Sequence, residues 1–511
     1  MGNSPPTVSI HILDDDSLLN IFYLYRPFLL GKDEDGDGHL WGGDDGWERG
    51  RWWYGLSHVC RRWRRVILGS ASYLGISLVC AIGTPVADML AHSPPLPLDI
   101  DYWDEDDTAA KDEEGATLAL KQYTRVRRVR LIMPVTSLQK LIAAMDDEYP
   151  ILEYLIIARP VKDKVDESSI SQFPETLRAP NLRHLYLVGS ALPIGSRLLT
   201  NALGLLTLCL FMRHPSTYFH PNFLLRWLSF MPQLETLIVS FKFPVPNRDI
   251  ERQLTHTPIT THITLPNLHY FEIAGVGTYL EALVDRITTP RLENFQIWFF
   301  NQLTFSVTRL LQFMNATESL TFKSAKFKFS DKDVDVEVYP HEEAKMHALS
   351  IIVDCVHLDW QISSAAQIFS SLSPLFSAVE HLTLVHEVHS QSSEEHNEAD
   401  RTKWRQLLGS FKNVKTLRIS EGLVEELSRC LELGDGDLPL ELLPELQELT
   451  YSGSGNTSDA FTSFINARQD AGRPLTLVRR SPSPDRSASV QPLEPPSTTP
   501  AGGEAGSNPN T

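Results

Sequence analysis

From Val126 onward one short hydrophobic phrase recurs along the chain: an apolar residue, two variable positions, a second apolar residue, one variable position, a third apolar residue. Clear copies are PNLRHLYLVG from Pro180, PQLETLIVSF from Pro232, PNLHYFEIAG from Pro266, PRLENFQIWF from Pro290, SAVEHLTLVH from Ser377, KNVKTLRISE from Lys412 and PELQELTYSG from Pro444. Weaker copies begin at Arg125, Pro150, Leu205, Ala316 and His347. The first positions of the twelve phrases are spaced by 23 to 35 residues. Alternation of this kind is a strand signal, because successive side chains leave opposite faces of a strand.

Between the phrases lie stretches with helical spacing, at 137–149, 222–231, 278–287, 307–314, 400–411 and 423–433. One strand plus one helix at this period predicts a leucine-rich-repeat solenoid, in which a single unit cannot bury its apolar face and stacked units share one core. Alternating strand–helix units also build doubly wound sheets and barrels, but a dozen units exceed what those sheets usually hold. The Asn or Cys that follows the strand in a regular repeat is mostly missing, so an irregular solenoid is expected. Segments 326–347 and 389–400 are expected to loop out as insertions. The expected fold class is therefore α/β: a helical N-terminal unit, an irregular solenoid and a disordered tail. The boundaries are 8–75 for the helical unit, with an acidic, Gly-rich insertion at 29–52; 76–120 for a connecting segment; 121–478 for the solenoid; and 479–511 for a tail too poor in apolar residues to fold.

Two N-terminal segments stand apart. In LDDDSLLNIF, from Leu13, three aspartates sit where a helix start favours negative charge, and Leu18, Leu19, Ile21, Phe22 and Tyr25 supply an apolar face. In WWYGLSHVCRRWRRVILGS, from Trp52, the residues Leu56, Val59, Cys60, Trp63, Val66 and Ile67 recur at helical spacing opposite four arginines. LDDDSLLNIF resembles the first half of an F-box motif, and VCRRWR at 59–64 resembles its second half, where Val-Cys-x-x-Trp is the recognisable phrase. The stretch 72–100 resembles the strand-like continuation of fungal F-box proteins. The resemblance covers about the first hundred residues. It implies a substrate adaptor of a cullin-RING (SCF-type) ubiquitin ligase, docking a Skp-type linker subunit and capturing an unidentified protein substrate with the repeats. Carried over by position, the docking residues would be Leu13, Leu18, Ile21, Phe22, Leu56, Val59, Cys60, Trp63 and Val66. Asp14 stands where the family has proline, and the loop between the halves is expanded. The alternative is a leucine-rich-repeat interaction scaffold whose N-terminal helices only cap the solenoid.

Composition narrows the remaining classes. Sixty-four acids against 46 bases give a formal charge of −18, the wrong sign for a nucleic-acid partner. No window is apolar enough for a membrane span and no leader pattern opens the chain, so no membrane partner is expected. Five widely spaced cysteines suggest reduced thiols and a cytoplasmic or nuclear setting. Asp33, Asp35, Asp37 and Asp44 match part of a calcium loop, but position 12 carries Asp for Glu and the glycine-rich flanks lack helices, so a solvated loop is the preferred reading. No glycine-rich phosphate loop, GxSxG or HExxH occurs, and neither catalysis nor a cofactor is expected. Substrate recognition is expected on the strand-lined face, at Arg183, His184, Tyr186, Glu235, Thr236, His269, Tyr270, Glu293, Asn294, Gln296 and Trp298, positions chosen by alternation alone.

Overall fold

Each recurring phrase forms a short strand whose two faces meet different fates. In PQLETLIVSF the strand is Thr236–Phe241; Leu237 and Val239 point to the helical side and are closed to solvent. The next strand, Tyr270–Gly275, lies parallel to it, with Leu237 beside Phe271 and Val239 beside Ile273. The same stacking repeats down the molecule, so one apolar residue continues the row begun by its predecessor. Each leucine buried this way contributes roughly 1.5–3 kcal/mol, which no unit could realise without its neighbours.

The computed structural model describes residues 12–26, 51–103, 112–159, 171–193, 195–212, 217–241, 259–300, 302, 304–386, 401–432, 442–452 and 460–480. Among them sixteen strands form one continuous sheet, with two additional two-stranded ribbons at its margin. Neighbouring strands of the large sheet follow chain order and pair in parallel, except at one place discussed below. Helices cover one face and successive ones pack together; Gly277–Val284 meets Thr308–Ala316, and Leu358–Phe376 meets Arg401–Leu408. This is an α/β solenoid of leucine-rich-repeat type.

Four features differ from the sequence expectations. The segment expected to connect two domains supplies two strands of the same sheet, Leu78–Ala81 and Leu98–Trp103, paired in parallel with one another and then with Val126–Ile132. Segment 326–347 does not loop out. Ser324–Phe329 and Asp333–Tyr339 form a hairpin inside the sheet, and Asp333–Tyr339 is the one strand antiparallel to both neighbours. Its alternation explains why it stays: Val334, Val336 and Val338 are buried on the helical side, while Asp335 and Glu337 face away. The weak phrase from Ala316 is likewise out of register, because the strand begins later and its inward residues are Ala325 and Phe327. The longest helix, Leu358–Phe376, was not among the expected ones, although Ile362, Ala365, Phe369, Leu372 and Phe376 hold one buried face. Its serines, and the absence of charge after Asp359, hide the periodicity. The expected insertion at 389–400, the acidic loop at 29–50 with Asp33, Asp35, Asp37 and Asp44, and the tail from 481 lie outside the described residues.

Near the last strands a buried cation holds the backbone. Arg468 is closed to solvent and donates from Nη1 to the carbonyl of Leu443 (3.2 Å) and from Nη2 to those of Pro444 and Leu446 (3.2 and 3.0 Å). Leu443 is the non-glycine residue with φ of +49° among the described residues, a left-handed turn that costs free energy unless its surroundings hold it. Arg468→Ala removes all three donors and leaves buried carbonyls unpaired. A loss of about 3 kcal/mol is expected in urea unfolding of the intact chain. A loss below about 1 kcal/mol would show the turn to be held by packing alone.

Candidate interaction surfaces

The N-terminal segments meet despite the insertion between them. Asp15–Tyr25 packs on Arg61–Gly69. The Phe22 and Trp63 rings lie edge to face at 4.9 Å, and Arg62 donates to the Leu13 carbonyl (2.5 Å) and the Asp15 carboxylate (2.8 Å). Asp14, which stands where the F-box pattern has proline, is the N-cap of the first helix and accepts from the Ser17 amide at 2.6 Å. That hydrogen bond holds its carboxyl below the usual range. Cys60 caps Arg61–Gly69 in the same way, its sulfur accepting from the Trp63 amide at 3.4 Å.

The nine residues carried over by resemblance divide into three groups. Leu18, Phe22 and Val66 are buried in the core shared with the solenoid. Leu13, Leu56, Cys60 and Trp63 are half-buried. Ile21 and Val59 are exposed, at 43% and 59%. Sequence reasoning did not single out Ile12 or Leu24, which are 74% and 82% exposed; Tyr25, which it placed on the apolar face of the helix, is 65% exposed. Ile21, Leu24 and Tyr25 stand at i, i+3 and i+4, so the first helix buries one apolar stripe and presents a second to solvent.

The sheet face away from the helices is the second surface. In its first half it carries a separate apolar cluster made of strand residues: Ile132, Ile156, Ala158, Tyr186, Val188, Cys209 and Ile238, bordered by half-buried Trp103, Tyr154, Phe211 and Tyr270. Beside it Arg130 grips Asp101 through two hydrogen bonds (2.7 and 2.9 Å) and lies over the Trp103 ring at 5.1 Å. Burial pushes the Cys209 thiol well above its ordinary range, so it packs as an apolar group. His184 Nδ1 and Thr207 Oγ1 are 3.1 Å apart on neighbouring strands; burial, with Arg183 next, lowers the His184 pKa. The same His–Thr pair recurs farther along as His381 and Thr416, 2.7 Å apart, which marks it as a cross-strand contact of the repeat.

In its second half the face turns polar. Trp298 donates to Asp354 (2.5 Å), Gln296 meets His347 (2.9 Å), and Arg418 pairs with Glu342 (2.7 Å). The hairpin contributes two carboxylates around one ammonium: Lys328 lies 2.5 Å from Glu337 and 3.7 Å from Asp335. Burial, then the neighbouring Glu337, pushes Asp335 up to about 6. Burial also works against Glu337, but hydrogen bonds from Lys328 and Tyr339 hold it below the usual range. Among the described residues no group of His, Cys, Asp and Glu is placed to hold a metal ion.

Of the eleven positions expected on this face, His184, Tyr186, Thr236, Tyr270, Asn294, Gln296 and Trp298 lie there, within their strands. Arg183, Glu235, His269 and Glu293 precede the strands and line open grooves at the entry edge instead. Tyr154, Phe211 and Trp103 were missed. Tyr154 and Phe211 occupy the outward positions of recognised phrases; Trp103 belongs to a strand the pattern did not reveal.

No family model matches the chain, and no curated protein matches it. Among solved structures it is similar to the leucine-rich-repeat-containing protein LegL7 from Legionella pneumophila, at 12% identity over 78% of this chain and 98% of that one, with a TM-score of 0.26. The class assignment rests on the parallel strand order and the shared core. No helix among the described residues is long and apolar enough to cross a membrane.

The raised Asp335 pKa has a definite sign. The folded chain holds this proton at higher pH than the unfolded chain, so stability falls as pH rises from about 4 through about 6. Asp335→Asn removes that dependence. At neutral pH the variant is expected to be more stable than the parent by about 1–2 kcal/mol, and near pH 4 the difference should vanish. Parallel urea-unfolding curves at the two pH values check it; an unchanged difference would assign the effect to packing.

Proposed function

We propose that this protein works by holding other proteins together, without chemistry of its own, and that its two surfaces serve different partners. The N-terminal helical pair docks the Skp-type linker of a cullin-RING ubiquitin ligase; the sheet face presents a protein substrate. The observation that carries the docking reading is the second apolar stripe. Ile21, Leu24 and Tyr25, with Ile12 and Val59, leave large apolar side chains in water on the segments that resemble an F-box, while Leu18, Phe22 and Val66 fasten the pair to the solenoid. An end cap alone needs only the buried stripe. An apolar helix stripe left in water is a feature of contact sites. On the sheet face, tyrosine, tryptophan and arginine side chains beside an apolar floor are the residue types that anchor protein interfaces.

The scaffold reading without a ligase role has its own support. Three of the nine carried-over residues are spent on the solenoid core, and capping the first strand is a sufficient task for these helices. The two readings part in a pull-down of the full chain with the Skp-type linker. Ile21→Glu combined with Val59→Glu changes exposed positions only and should leave the melting temperature within a few degrees of the parent. Capture by the parent that falls at least about tenfold in the variant supports docking, a loss of about 1.4 kcal/mol. No capture by the parent leaves the scaffold reading.

A further inference from the structure

The sixteen-stranded sheet is finished differently at its two ends. At the first, Leu78–Ala81 lies under the helical unit; Leu78 and Cys80 are buried, and the Trp53 indole donates to the Ser77 carbonyl at 3.3 Å. At the other, Thr476–Arg480 pairs with Glu448–Ser452 on one side, and among the described residues no strand lies on its other side. Leu477 continues the row of Leu417 and Leu449, both closed to solvent, yet Leu477 is 40% exposed. It is a core position that no further unit covers among the described residues. Pro482 and Pro484 follow in the sequence and lack the donors that another strand would need.

We propose that this open end is a self-association surface, on which two copies of the chain pair edge to edge through 475–479 and extend one sheet across a twofold axis. The register argues for a second copy. The Thr476 amide donates inward, to the Gln447 carbonyl at 2.8 Å, so strand alternation turns the backbone groups of Leu475, Leu477 and Arg479 outward. Antiparallel pairing centred on Leu477 sets those outward groups face to face. It places Leu477 against its own copy and Leu475 opposite Arg479, so that the exposed core row is covered and no two arginines are opposed. A twofold contact needs one patch that complements itself, which this strand supplies. With the first end closed, the described residues leave one such edge per chain, which would stop the assembly at two copies.

Sedimentation velocity of the full chain, from low micromolar to tens of micromolar, tests the proposal. The expected result is a species of twice the chain mass that grows with concentration. Leu477→Pro removes an outward donor but no hydrogen bond within the chain, and Leu477→Lys adds a charge at the edge; each should return the chain to single mass with an unchanged circular dichroism melt. A parent of single mass throughout would overturn the proposal. So would an assembly of more than two copies, or a dimer that survives both substitutions.

Discussion

Everything in this fold depends on one constraint: a strand–helix unit exposes as much apolar surface as it buries until another unit is laid against it. Leu155, Leu185, Leu208 and Leu237 form a row across four successive strands, all closed to solvent, and none could be so without its neighbours. The sheet is therefore long, and units of irregular length are tolerated so long as each supplies the inward residues on time. The same constraint makes the ends special. The N-terminal helices close the first end through Leu18, Phe22, Trp53 and Val66, and the other end leaves Leu477 partly in water.

The hairpin shows how far the constraint reaches. Ser324–Phe329 and Asp333–Tyr339 reverse the chain inside a sheet that is otherwise parallel, yet they keep Phe327, Val334 and Val336 in the inward rows. On the other face, the reversal brings two acidic side chains and a lysine together, Asp335, Glu337 and Lys328. Burial there is what raises Asp335 and what makes Lys328 necessary. Fold continuity and local electrostatics are thus set by the same pair of strands.

The N-terminal unit carries a buried and an exposed apolar stripe on one short helix, and this is why its sequence is ambiguous. Leu18 and Phe22 look no different in sequence from Ile21 and Leu24, all apolar on a helix rich in leucine and aromatic residues. Only packing against Trp63 and the first strands separates the buried stripe from the exposed one. Asp14, where the F-box pattern has proline, makes a local N-cap hydrogen bond that holds the helix start.

Read alone, the sequence determined what depends on local spacing. The alternating phrases announced their strands, the stretches between them announced most of the helices, and the period announced a solenoid in place of a closed sheet. Outward positions such as Tyr186, Tyr270 and Trp298 were legible because side chains alternate along any strand. Tertiary structure decided what depends on neighbours distant in sequence. It drew Leu78–Ala81 and Leu98–Trp103 into the sheet and held the charged hairpin within it. It also grouped Tyr154, Tyr186 and Phe211 on one floor and split the N-terminal apolar residues between core and solvent. Periodicity reports which face a residue occupies, but burial is a property of the unit that comes to lie against that face.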